Sequence, residues 1–197
     1  GNPNRPSVEN EYERVKTEND WTAAQAAEFP TRLIAFCGVN PLKDYAIQEI
    51  ARCAQHPGLR KGLKLHFGNS DVNLDNPAHV EQMRAVFAEA NRHRMTIVAH
   101  IRANYNKRMP WGAQQARVFL EQLLPAAKNV TVQIAHVAGA GNYEDAGVPE
   151  ALALFASAIS SALGSASRAA RTKSMSRPGS ILILTLWYPS AMAALAR

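Results

Sequence analysis

From residue 32 onward the chain alternates short apolar or β-branched runs with longer stretches whose apolar residues recur at helical spacing. Short apolar runs bounded by turn formers read as buried strands, and apolar residues at every third or fourth position read as helices packed by one face. The predicted strands are 33–39, 63–67, 95–100 and 130–135. Predicted helices fill about 43–55, 76–92, 112–127 and 149–162, and one more, about 20–28, precedes the first strand. Asn76 followed by Pro77 is an N-cap with proline at the first helical position, and His56-Pro57-Gly58 ends the helix before it.

Four strand–helix units in a row predict an α/β fold with parallel strands and outer helices. They amount to half of a (β/α)8 barrel, which usually takes about 250 residues. A partial (β/α)8 TIM barrel is therefore expected, with an open four-stranded sheet as the alternative. A half-barrel leaves two sheet edges unpaired, and association of copies through them, as a homo-oligomer, is expected.

The strand endings carry the chemistry. Lys64 and His66 lie two apart on the second strand and so share a side, His100 closes the third strand, and His136 follows the fourth. Barrel enzymes collect their catalytic residues at the C-terminal ends of parallel strands. Arg102 shares the side of His100 if that strand continues, where its guanidinium could clamp a substrate carboxylate; a solvated loop arginine is the equal alternative. Asn69 and Asp71, then Tyr143 and Asp145, follow strands as loop residues above the same mouth. His56, His79 and His93 fall on helices or their ends and read as solvent-facing. No GxSxG elbow is present, and Gly139-Ala140-Gly141 lacks the spacing of a dinucleotide loop.

As an ordered set, the four strand endings 39–41, 62–66, 97–100 and 134–136 resemble strands three to six of the amidohydrolase superfamily. The closer likeness is to the branch of metal-dependent barrel hydrolases that includes amino-carboxymuconate-semialdehyde decarboxylase. The resemblance covers roughly residues 10–160. It implies a divalent cation, Zn²⁺ by preference, with His100 as the strand-five ligand. His136 would be the strand-six histidine that binds metal or polarises substrate and metal-bound water. Lys64, in the strand-four position, would contact substrate or nearby carboxylates rather than become carboxylated. Hydrolysis of a C–N or C–O bond in a small, carboxylate-bearing substrate is the implied activity, with decarboxylation of a small acid as the alternative. The family's HxH pair is missing from the chain and no aspartate follows Asp145. A catalytically incomplete copy, or a non-catalytic fragment or binding module, is accordingly expected.

Composition changes the picture mainly at the C-terminal end. The formal charge is +6, yet the five basic residues beyond Glu150 meet no acidic ones, which leaves a net charge of +1 on the first 150 residues. No nucleic-acid partner is expected from a body so balanced. Nine of the eleven serines also lie beyond residue 150. Residues 1–163 are expected to form the barrel-like domain and 164–197 a loosely packed or disordered tail, of truncated or frame-shifted origin. The apolar run 181–187 reads as a strand or a sticky terminal segment, too short for a membrane span. Cys37 and Cys53, without CxxC spacing, read as buried reduced thiols rather than a disulfide, which with the lack of a visible signal peptide suggests a cytoplasmic protein. The chain starts Gly1-Asn2-Pro3, so the native N-terminus is expected to be missing.

Overall fold

The structure is a computed structural model that describes residues 9–101, 111–136, 147–171 and 182–184, with side chains in the last helix described as far as residue 160. Helix α1 (Glu11–Ala27) leads into β1 (Cys37–Gly38). Next come α2 (Ala46–Gln55), β2 (Gly62–His66), α3 (Pro77–Arg92) and β3 (Thr96–His100). Helix α4 (Ala113–Val118), β4 (Val132–Ile134), α5 (Val148–Arg171) and β5 (Leu182–Leu184) complete the order. The five strands form one sheet in the order β1-β2-β3-β4-β5, and every neighbouring pair is parallel. This is the α/β architecture expected from the alternating pattern, with five parallel strands in one sheet among the described residues.

One face of the sheet is apolar. Leu63, Leu65, Ile97, Ala99, Val132 and Ile134 have no exposed surface and pack with Ile50, Met83, Phe87, Phe119 and Phe155 from the helical side. The alternate residues of the same strands are only half-buried and look the other way. Helix α3 begins as its sequence predicts, with the Asn76 Oδ1 accepting a hydrogen bond from the Ala78 amide at 3.0 Å and Pro77 in the first turn.

Several boundaries differ from the expected ones for physical reasons. The predicted strand 33–39 pairs only at Cys37–Gly38, and Leu33 and Ile34 stand 50% and 68% exposed ahead of it. The segment expected as a continuous helix over 112–127 passes from α4 into a π-helical turn (Phe119–Leu123) and a 3-10 turn (Leu124–Ala127). Pro125, which has no amide hydrogen to donate, lies within the second turn. Helix α5 runs to Arg171, past the end expected near residue 162, so the linker expected from 164 onward is helical over its first eight residues. The run expected as a strand or a terminal segment supplies β5.

Helix α1 starts well before the expected residue 20 because polar tethers, not an apolar stripe, hold its first half. Glu11 accepts from the Lys43 Nζ and the Tyr45 hydroxyl, each at 2.6 Å, and Tyr12 stacks on Tyr45 at 5.0 Å. Deeper along the helix, Asn19 behaves like a strand laid on the edge of β1. Its Oδ1 accepts from the Gly38 amide at 2.8 Å, and its Nδ2 donates to the Gly38 carbonyl at 3.0 Å and to Glu49 at 2.7 Å. Glu49 has no exposed surface and is held from the other side by Arg52 through two bonds of 2.8 Å.

The reduced thiols expected from spacing are corrected: Cys37 and Cys53 form a disulfide. Packing α2 against β1 brings their Cα atoms to 6.0 Å, within the range a disulfide spans, although sixteen residues separate them. The ground on which a reducing compartment was expected goes with it.

Glu49→Ala would remove the buried carboxylate shared by Arg52 and Asn19, leaving Arg52 only Asp20 and Asn19 only Gly38, and removal of one member of a buried charged pair typically costs about 3 kcal/mol. The unfolding free energy extrapolated from urea titration is expected to fall by that amount, through a lower midpoint at unchanged slope. A loss below about 1 kcal/mol would show that this cluster contributes little.

Candidate functional site

Strand register builds the site. Gly38 pairs with Lys64, Lys64 with Val98 and Val98 with Gln133, so these four form one row across the half-buried face. One step toward the C-terminal ends, His66 pairs with His100. Adjacent strands lie about 4.8 Å apart, and the two imidazoles stack on that spacing with ring centroids 4.1 Å apart and planes 13° from parallel. His136, two residues past β4, meets His100 edge to face at 4.8 Å. The three histidines expected at the mouth therefore come together.

Their environments differ. The His66 Nδ1 accepts the Asn69 amide at 3.1 Å, so in the neutral ring Nε2 carries the proton and is the donor. Burial, helped by the neighbouring Lys64 cation, lowers the His66 pKa below its ordinary value. Lys64 is also pushed down, by burial, and makes no ion pair among the described residues. His136 is exposed and holds φ at +55°, a left-handed conformation uncommon outside glycine and asparagine. Such a backbone turns its side chain out of the strand's alternation and over the mouth.

Beside this row, a cleft of about 540 Å³ runs between α1 and the open face of β1 and β2. Arg14, Glu18, Asn19, Phe36, Asn40 and Lys64 contribute to its walls. The lysine thus belongs to both the histidine row and the cleft.

The described side chains give a divalent cation only part of a site at this mouth. His100 and His136 meet edge to face, as two ligands of one ion can, whereas His66 spends Nδ1 on a backbone amide. Among the described residues, the group of three whose ligand atoms all lie within 4.8 Å of one another is Cys37, Glu49 and Cys53, elsewhere in the fold. Structural and catalytic zinc sites use three or four protein ligands, and two histidines fall short of that.

Asn69 lies at the rim, exposed, and its backbone has the clear task of fixing the His66 ring. Asp71 is buried in a left-handed turn at φ +55° rather than open to the mouth. Arg102, Tyr143, Asp145 and the 139–141 turn lie outside the described residues. The helix histidines are less exposed than expected: His79 accepts the Asn73 amide at 3.1 Å, and His93 is 13% exposed against Glu89 at 3.0 Å. Sequence reasoning missed Asn19 and Glu49. Their signal was a carboxylate in register with Ala46, Ile50 and Cys53 on the apolar side of α2.

The chain matches the family model described as Amidohydrolase over residues 7–160, well over half its length, and it belongs to that family. Comparison with curated proteins gives no match. Among the described residues, no helix is long and apolar enough to cross a membrane.

The mouth makes its own titration test. His66 is expected to titrate below the ordinary histidine value of 6.5 and to show the Nε2–H tautomer by nitrogen NMR. Lys64→Met, which removes a neighbouring positive charge, should raise that pKa. A folded-state pKa below the unfolded one makes this histidine's contribution complete above about 6.5 and progressively lost as pH falls from there toward the folded value. A His66 pKa at or above 6.5, unmoved by Lys64→Met, would contradict the arrangement.

Proposed function

We propose that the histidine mouth is the substrate-facing part of a metal-dependent hydrolase site, acting on a C–N or C–O bond of a small substrate that bears a carboxylate. The observation that carries this is the convergence of His66, His100 and His136 at adjacent parallel strand ends in a chain of the amidohydrolase family. Lys64, half-buried without a carboxylate partner among the described residues, suits a substrate carboxylate, which would balance its charge and offset the cost of its burial. His66, with its proton on Nε2, would donate to the oxygen on which negative charge develops. Asn69 and Arg102 are proposed to border the substrate at the rim. His100 and His136 would hold the divalent cation, Zn²⁺ by ligand chemistry, whose role when bound is to act as a Lewis acid and acidify water.

Loss of CO₂ from a small acid at the same mouth is the alternative activity, and the Lys64 environment favours a carboxylate substrate in both cases. The barrel-like body over 1–163 is proposed as the functional unit, with 164–197, which continues α5 and supplies the edge strand β5, as an extension of it. Trp21, Phe29, Leu33 and Ile34, all about half exposed or more and close together in sequence ahead of β1, support association with a second copy on that side. A non-catalytic role for this chain has specific support too, in the count of two ligands that the described residues offer at the mouth.

With the disulfide kept intact, the chain is expected to take up Zn²⁺ weakly, and His100→Ala or His136→Ala should abolish that uptake while His66→Ala leaves it. Turnover of a panel of lactones and amides, and release of CO₂ from small acids, are expected to stay near background. Uptake that survives both His100→Ala and His136→Ala would refute the ligand assignment. Strong turnover, abolished by a chelator and restored by Zn²⁺, would refute the incompleteness of the site.

A further inference from the structure

The disulfide sits in an unusual polar setting for two cysteines without any exposed surface. Cys37 comes from β1 and Cys53 from α2, and the Glu49 carboxylate, equally buried, lies one helical turn from Cys53 with its Oε1 3.5 Å from that sulfur. The two sulfurs and a Glu49 oxygen all fall within 4.8 Å of one another. The Asn19 Nδ2 lies 3.8 Å from each sulfur. A purely structural disulfide needs no buried carboxylate beside it.

We propose that Cys37, Cys53 and Glu49, once the disulfide is reduced, form a buried binding site for a thiophilic divalent cation of the Zn²⁺ class. The corner between α1, β1 and α2 then exchanges a covalent clasp for a metal clasp. A dithiol reductant supplies two electrons and two protons to the sulfur–sulfur bond and is itself oxidised to a disulfide. Binding of the cation then releases the two thiol protons to solvent. The donor set of two thiolates and one carboxylate suits zinc. The doubly charged cation would offset most of the charge of the three negative ligands, and the Arg52 guanidinium, 2.8 Å from Glu49 and shared with Asp20, lies beside them. The Cα separation of 6.0 Å lets the sulfurs swing apart around one ion without moving β1 or α2.

This site is separate from the histidine mouth, yet the two are linked through Asn19 and Gly38, which both border the Lys64 cleft. The redox state of the corner would therefore reach the wall of the cleft.

The test is titration of the full chain with Co²⁺, before and after anaerobic reduction by a phosphine. The reduced chain should develop a thiolate-to-cobalt charge-transfer band that saturates at one ion per chain, and the oxidised chain should show none. Cys37→Ser should lose the band, His100→Ala should keep it, and Glu49→Gln should move its midpoint to higher Co²⁺. Absence of the band in a reduced chain that circular dichroism shows to be folded would overturn the proposal, as would its persistence in Cys37→Ser. A midpoint unmoved by Glu49→Gln would overturn the three-ligand assignment. Should Cys37→Ser fail to fold, alkylation of the reduced wild-type chain in urea below its unfolding midpoint decides: Zn²⁺ should protect both cysteines, and equal labelling with and without it overturns the site. Co²⁺ that binds the reduced chain without this band, and is lost in His100→Ala, would instead place the ion at the mouth and overturn the proposal.

Discussion

Everything placed at the mouth depends on the register of the parallel ladder, which sets Lys64 opposite Val98 and His66 opposite His100. Side chains alternate with a period of two, so a slip of one residue would drive the lysine and histidine of β2 into the layer now filled by Leu63 and Leu65. The leucines prevent it. Burying them against α2 and α3 stabilises the strand by about 2 kcal/mol per side chain, and an unpaired lysine in their place would oppose folding more strongly still. The same packing that makes the core thus orients the chemistry.

Against that constraint, α1 solves a different problem. The outer edge of β1 offers an unpaired amide and carbonyl at Gly38, and both are taken by the Asn19 carboxamide, which has the same donor and acceptor as a peptide group. Asn19 also reaches Glu49, and Glu49 reaches Arg52, which bonds Asp20 back on α1 at 2.8 Å. A closed circuit of polar groups and a disulfide therefore hold α1, β1 and α2 together where the apolar layer is thin.

The alternating units, the strand endings and the cap of α3 were legible in the sequence because each rests on local pattern: a period of two, a period near 3.6, or Asn76-Pro77. The meeting of His66 with His100 followed from parallel strands of equal phase. What could not be read rests on contacts distant in sequence. The first half of α1 has no apolar stripe and is ordered by Lys43, Tyr45 and Gly38, which lie 32, 34 and 19 residues from their partners in the helix. The Cys37–Cys53 pairing depends on how α2 lies on β1, and spacing alone argued for free thiols. The outward turn of His136 comes from a backbone φ that no side-chain pattern announces.

The central claim is that one register brings three imidazoles to one mouth, and ring-to-ring nuclear Overhauser contacts in the folded chain measure that most directly. The account predicts contacts between the ring protons of His66 and His100 and between those of His100 and His136, with none from His100 to Phe87 or Phe119 across the sheet. Contacts from the His100 ring to those core phenylalanines, without contact to His66, would contradict it.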